Sequence, residues 1–283
     1  MYESFYGLRE RPFTLVPDPA FLYPSRHHQF ALMMLEYAVL NRASFSLLTG
    51  DVGAGKTLLI RQLLTRLGDD VKVALISNTS RHLARLLPWI CLGCGLPYRG
   101  KEDAELYESF VDFLVESYRN GQRVLLIVDE AQNLDAPMLE ELRVLSNVNA
   151  DRHLVLQTIL VGQLELRDTL RRRDLRQFAQ RVSVDYHLPV LSMQECRAYV
   201  RHRLHVAGGA PDVIEDAAID LAWSRSGGVP RLVNQLCDTA LVYGFADQHA
   251  QVDLALMTQV VADRAAGGLF AGEPAEATPS ATA

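Results

Sequence analysis

Hydrophobic positions along the chain change character near residue 190. Before it, short runs of apolar and β-branched residues alternate with stretches whose apolar positions recur every three or four residues. That alternation predicts strands joined by helices. Strands are expected at Ser44–Thr49, Val71–Ser77, Arg123–Val128, Leu154–Val161 and Val182–His187. Two are almost wholly apolar, which suits strands covered on both faces of a parallel sheet. After residue 190 no strand-like run appears. Helical patterns cover Ser192–Val206, Val213–Ser226, Arg231–Ala246 and Asp253–Ala265. Pro211, the Gly227-Gly228-Val229-Pro230 run and polar Asp247–Gln251 separate them. The final stretch, Gly267 to Ala283, is rich in Ala, Gly, Pro, Ser and Thr and reads as a disordered tail.

The expected organisation is therefore an α/β domain at residues 1–189, a small helical domain at 190–266 and a tail at 267–283. A chain of 283 residues buries roughly 75% of its unfolded surface and needs no disulfide or metal staple. Its 49% apolar and 22% charged residues exclude a wholly disordered or fibrous chain. With 28 basic and 34 acidic residues the net charge is −6, which argues against a broad basic nucleic-acid surface. The longest apolar runs, such as Val124–Val128, fall far short of the ~20 residues of a membrane span. Met1–Arg11 carries charges and lacks an apolar signal-peptide core. Four cysteines make no disulfide framework and suit a reduced, cytoplasmic protein. Cys91-Leu92-Gly93-Cys94 has no second pair to complete a zinc site and reads as packing. The histidines, His27-His28 included, show no ligand spacing.

Chemistry enters at Gly50-Asp51-Val52-Gly53-Ala54-Gly55-Lys56-Thr57, which matches G-x-x-x-x-G-K-[ST]. An apolar strand precedes it and a helix beginning Leu58-Leu59 follows, so residues 50–58 are expected to cradle a nucleotide. The glycines let successive backbone N–H groups converge on a phosphate at a helix N-terminus. Lys56 is expected to reach the β- and γ-phosphates and Thr57 to bind Mg²⁺ through its hydroxyl. Further on, the strand Arg123–Val128 runs into Asp129-Glu130-Ala131-Gln132. Asp129 is expected at the Mg²⁺ and Glu130 as general base for the attacking water. A water-activating glutamate with no sign of an acceptor pocket favours a hydrolase over a kinase.

With both motifs placed, the chain resembles the AAA+ ATPases, and more narrowly the bacterial general-secretion ATPases of the GspA/ExeA type. It is also similar to MshM-type pilus-biogenesis ATPases and to ATPases of exosortase and polysaccharide-export systems. The likeness spans residues 1–266 and rests further on Met1-Tyr2-Glu3-Ser4-Phe5-Tyr6-Gly7-Leu8, Pro12-Phe13, Pro17-Asp18-Pro19-Ala20-Phe21-Leu22-Tyr23 and Gly227-Gly228-Val229-Pro230-Arg231. It implies a P-loop NTPase fold: a five-stranded parallel sheet with helices on both faces, then a helical lid.

The resemblance also implies roles for individual residues. Gln163, after Leu160-Val161-Gly162, becomes the sensor of the γ-phosphate; Leu164 stands where relatives often have proline. Arg181, just before Val182, becomes the arginine that reaches a neighbouring subunit's nucleotide, with Arg176 as second choice. These two belong to a segment rich in arginine, Leu166–Arg181, whose ordinary meaning is a solvated basic face. Arg231 becomes a second sensor on the lid, at a helix start where a cation is electrostatically poor. Phe5, Tyr6, Phe13, Phe21 and Tyr23 are expected to pack the N-terminal segment onto the core and help enclose the adenine.

The implied function is ATP hydrolysis, with ATP and Mg²⁺ bound, coupled to assembly or regulation of an envelope secretion, pilus or polysaccharide-export system. The implied assembly is a homo-oligomeric ring, of which a hexamer is one form and whose size the sequence leaves open, with an envelope partner. Longer relatives continue into a membrane span and a peptidoglycan-binding domain. The sequence to Ala283 shows neither, so the expected location is cytoplasmic, with any hold at the inner membrane face passing through that partner. Two rival classes stand beside it. One is a DNA-associated ATPase resembling transposition regulators, disfavoured by the charge. The other is a nucleotide-gated adaptor with little turnover.

Overall fold

The computed structural model describes residues 1–77, 85–150 and 153–267. They form two compact units, one from Pro17 to Val190, the other from Met1–Val16 together with the chain from Leu191 onward.

In the first unit a 3₁₀ turn, Pro19–Phe21, precedes α1 (Arg26–Leu40), β1 (Phe45–Gly50), α2 (Lys56–Leu64) and β2 (Val71–Ile76). Next come α3 (Leu87–Gly93), α4 (Asp103–Arg119), β3 (Arg123–Val128) and α5 (Ala136–Leu145). The unit ends with β4 (Asn149–Ala150), β5 (His153–Leu154), β6 (Leu156–Gly162), α6 (Leu164–Leu170), α7 (Arg176–Ala179) and β7 (Val182–Leu188). The main sheet has five parallel strands in the order β2-β3-β6-β1-β7. The three inner strands are buried almost throughout, whereas the edge strands β2 and β7 alternate buried and exposed positions. Side-chain alternation sends neighbouring residues of one strand to opposite cores. Leu126 and Val128 face Ile90, Phe110, Leu114 and Leu142 of α3, α4 and α5. Leu125 and Ile127 face Leu32, Leu35, Leu59 and Leu63 of α1 and α2. Each such buried side chain contributes about 1.5–3 kcal/mol relative to leaving it in water.

Two details depart from the sequence pattern. The fourth main strand, expected from Leu154, begins at Leu156. The parallel ladder starts where Val124 pairs with Leu156, so Leu154 instead pairs with Asn149 in the small antiparallel ladder of β4 and β5. Gln157 is a polar residue in the sheet interior; its Nε2 donates to the carbonyls of Ala38 and Val39 at 3.2 and 3.1 Å. It thereby satisfies carbonyls at the end of α1 that have no partner within the helix.

The second unit contains α8 (Met193–Val206), α9 (Asp216–Ser226), α10 (Pro230–Ala246) and α11 (Leu254–Gly267). Ser192 and Glu195 close a capping box at the start of α8. Gly227 ends α9 in the left-handed region, and Gly228 follows at φ +76°. A Cβ on Gly228 would lie 2.2 Å from the Leu191 carbonyl, so this turn admits only glycine. Residues 1–16, expected with the α/β domain, belong to this helical unit. Tyr2 donates to the Asp238 carboxylate, Tyr6 Oη to the His249 carbonyl at 3.1 Å, and Arg9 N to the Ala207 carbonyl at 2.7 Å. Buried Arg203 donates to the carbonyls of Pro12 and Thr14 and to Tyr199 Oη, which in turn donates to Asn234. The donors that hold the segment thus lie about 190 residues downstream, where no local pattern reveals them. Apart from Gly267, the expected tail lies outside the described residues. Among the described residues no helix is long and apolar enough to cross a membrane.

Candidate nucleotide site

The site lies where β1, β6 and β3 end side by side. β6 sits between the other two, with Thr49 opposite Gly162 and Val128 opposite Leu160. Loops leaving the carboxyl ends of such strands open a crevice in α/β sheets.

From β1 the chain enters the phosphate loop. Gly50 ends the strand against β7; a Cβ there would lie 2.8 Å from the Leu188 carbonyl. Gly53 and Gly55 take φ of +84° and +102°, conformations that a side chain would strain. Gly55 also caps α2, so the N–H groups of the first turn face the loop's hollow. Lys56 is buried and donates from Nζ to the carbonyls of Gly50 and Asp51 at 2.8 and 2.9 Å. The ammonium thus sits over the loop that a phosphate chain would enter.

β3 delivers the carboxylates. Asp129 is buried, and that burial pushes its carboxyl above the usual range, while hydrogen bonds from Glu130 N and Thr57 oppose the rise. Thr57 Oγ1 donates to Asp129 Oδ2 at 3.1 Å. The two oxygen ligands expected for Mg²⁺ therefore lie in contact, and a cation between them would favour the ionised carboxylate. Donor set and glycine-lined hollow both fit a Mg²⁺-bound triphosphate. Glu130 follows at φ +55°, uncommon for a residue with a side chain. Its N–H donates to Asp129 Oδ1 at 2.9 Å, and its Oε2 accepts from Gln132 Nε2 at 2.5 Å.

β6 supplies Gln163, whose backbone N–H donates to Gln132 Oε1 at 3.1 Å. Its side chain is half-buried and takes no hydrogen-bond partner among the described residues. Arg181 is half-buried and donates to Ser146 Oγ at 2.9 Å and to the Arg143 carbonyl at 3.4 Å, at the end of α5. Arg176, the first residue of α7, is exposed and has no such partner among the described residues. Arg231 belongs to the helical unit, exposed at the second position of α10. Of the N-terminal aromatics, Phe21 is buried in the α/β unit, whereas Tyr6 and Phe13 are buried in the helical one. Cys91 is buried in α3 and Cys94 follows its end; burial pushes the Cys94 thiol up to about 12, which keeps it protonated and inert.

Two residues here escaped the sequence reading. His28, set aside among scattered histidines, is buried on α1 beneath the loop. Its Nδ1 meets Ser25 Oγ at 2.7 Å and its Nε2 meets the Ala54 carbonyl at 3.2 Å. The Ala54 carbonyl only accepts, so Nε2 carries the hydrogen that meets it, and in the neutral ring Nδ1 accepts from the Ser25 hydroxyl. The local signal was Ser25 three residues ahead of His28, the spacing of a helix cap. Gln132 was visible as part of the acidic strand end but carried no role.

Comparison with known proteins bears on the whole arrangement. A family model described as an AAA domain matches residues 40–170. General secretion pathway protein A of Aeromonas hydrophila is 42% identical over 247 residues, which cover 87% of this chain and 45% of that protein. The chain thus spans less than half the length of that relative. Among solved structures, the ORC2 protein of Aeropyrum pernix in its ADPNP-ADP complexes has a TM-score of 0.67 at 20% identity, covering 90% of this chain and 71% of its own. The ORC1 protein of Aeropyrum pernix in complex with DNA has a TM-score of 0.65 at 21% identity, with 92% and 71% covered. The RuvB Holliday junction branch migration motor of Thermotoga maritima has a TM-score of 0.56 at 18% identity, with 92% and 75% covered. At such identities the likeness establishes the fold alone.

Proposed function

Because the chain is an AAA+ ATPase related to general secretion pathway protein A, we propose that it hydrolyses ATP to drive or regulate assembly of a bacterial envelope secretion, pilus or polysaccharide-export system. The observation that carries the hydrolytic part is the Thr57–Asp129 hydrogen bond with Glu130 immediately after it, beside the buried Lys56. The loop N–H groups from Gly53 to Leu58 bind the phosphates, and Lys56 exchanges its two carbonyl partners for phosphate oxygens. Thr57 and Asp129 hold Mg²⁺, which when bound neutralises charge on the β- and γ-phosphates. Glu130 accepts a proton from water as the water oxygen bonds to the γ-phosphorus and the bond from that phosphorus to the bridging oxygen breaks, releasing ADP and phosphate. Gln163 senses the γ-phosphate, and Arg231 is the second sensor.

In this reading copies of the chain act together in a ring, and an arginine of one reaches the nucleotide of the next. Arg181 must leave Ser146 to do so, whereas Arg176 already stands free of partners among the described residues. An envelope protein is the partner, and attachment to the membrane face passes through it. Pairing of Arg167 with Asp185, Arg171 with Asp168 and Arg172 with Asp174 counts against a free phosphate-binding stripe for DNA in this stretch.

The test is single-turnover phosphate release with Mg²⁺ and ATP by wild type and Glu130→Gln, beside binding of a fluorescent ATP analogue. Binding by both with release by wild type alone is expected. Equal release by both removes Glu130 as the base, and no binding by either removes the site.

A further inference from the structure

Gln132 lies between two parts of the site, and its side chain touches both. Nε2 donates to Glu130 Oε2 at 2.5 Å, and Oε1 accepts from the Gln163 backbone N–H at 3.1 Å. The amide cannot be turned the other way. An ionised carboxylate only accepts and a backbone N–H only donates, so the amide NH₂ faces Glu130 and its carbonyl faces Gln163. Backbone features deliver this bridge. The left-handed turn at Glu130 leads into a 3₁₀ turn at Ala131–Asn133, which brings Gln132 back to the carboxylate two residues before it. Gly162 leaves the space: a Cβ there would stand 3.0 Å from Gln132 Oε1 and 2.9 Å from Leu166 Cδ2.

We propose that Gln132 is a positioning residue for hydrolysis, holding the Glu130 carboxylate in the orientation that receives the water proton and tying that orientation to the Gln163 loop. This rests on Glu130 acting as base. A general base works only within hydrogen-bond reach of its proton, about 2.6–3.2 Å, and a glutamate side chain free about its torsions spends little time there. A carboxylate has about four lone-pair sites, so the bond from the amide to Oε2 still leaves the group able to accept from water. The Gln163 N–H adds the coupling: a shift of the β6 end shifts the amide, and the amide shifts the base. Hydrolysis then responds to the position of the loop that meets the γ-phosphate.

Two variants of the full chain separate this role from a purely structural one. Gln132→Met keeps the length of the side chain and removes both bonds. Gln132→Glu presents a second carboxylate to Glu130 when ionised, and restores both bonds when protonated, its O–H donating to Glu130 and its carbonyl accepting from Gln163. Turnover, KM for ATP and binding of a fluorescent ATP analogue are measured from about pH 4.5 to about pH 8, because a carboxyl beside a like charge regains its proton above the ordinary carboxylate range. Glu130→Gln is measured alongside, all at a protein concentration where wild-type specific activity is constant. Gln132→Met is expected to lower kcat on the order of 10–100-fold, part of what a general base supplies, with nucleotide affinity within about twofold of wild type. The turnover of Gln132→Glu relative to wild type is expected to climb about fivefold or more as pH falls through that range. Wild-type turnover by Gln132→Met together with a silent Glu130→Gln overturns the positioning role and leaves the base intact. A relative turnover of Gln132→Glu that stays flat with pH overturns it as well. Full turnover by Glu130→Gln overturns the base, and this role with it.

Discussion

Thr57 Oγ1 and Asp129 Oδ2 stand 3.1 Å apart, although 72 residues of chain separate them. One belongs to the first turn of α2, the other to the end of β3, and β6 lies between their strands. Each group is a hard oxygen ligand, and the hydrogen bond between them marks the place where a cation would sit.

Thr57→Ala is therefore expected to raise the magnesium concentration for half-maximal ATP turnover on the order of tenfold or more, since losing even an outer partner of a metal site costs that much and Thr57 is expected to touch the ion itself. A magnesium titration at saturating ATP checks this. Lys56→Ala is expected to abolish binding of a fluorescent ATP analogue, and retained affinity would refute the loop assignment.

The loop geometry predicts sensitivity to changes that remove no side-chain contact with a phosphate. Gly55→Ala meets both a φ of +102° and His28 Nε2 at 3.0 Å. It should lose nucleotide binding while keeping the fold by circular dichroism. His28→Leu removes the donor to the Ala54 carbonyl and the acceptor for the Ser25 hydroxyl. A loss of about 1–3 kcal/mol in unfolding free energy is expected from denaturant titration.

In the helical unit, Gly228→Ala meets the Leu191 carbonyl and a left-handed backbone together. The backbone conformation alone costs about 1–2 kcal/mol, and the clash adds to it. A lowered melting temperature with unchanged nucleotide affinity per folded molecule is the expected result.

An arginine acting between subunits predicts complementation. Arg181→Ala or Arg176→Ala, whichever removes the acting group, should lose about 10³–10⁵ in turnover. Mixing the inactive variant with Lys56→Ala restores activity, because one chain brings an intact site and the other an intact arginine. Activity that no mixture restores counts against action in trans, as does a specific activity that stays flat on dilution.

Burial pushes the thiols of Cys94 and Cys196 up to about 12 from an ordinary 9.0. A raised folded-state pKa favours the native state below the unfolded value, and that contribution is lost as pH rises through the folded one. Melting temperature should show no thiol-dependent change below about pH 9 and decline above it, with the decline reduced in Cys94→Ala and Cys196→Ala.

Sequence alone determined the elements whose signals are local. The phosphate loop was legible because its glycines, lysine and threonine must be adjacent to fold a strand end onto a helix start. Asp129 and Glu130 were legible because an apolar strand that ends in acids is itself a short pattern. The four C-terminal helices followed from spacing, caps and the Gly227-Gly228 break. Tertiary structure alone decided what depends on contacts between distant residues. That His28 braces Ala54, that Gln132 spans Glu130 and Gln163, and that Arg181 rests on Ser146 follow from strand order and register, to which sequence spacing is blind. The same reason placed residues 1–16 on the helical unit: their carbonyls are satisfied by Arg203, a donor that only folding brings within reach.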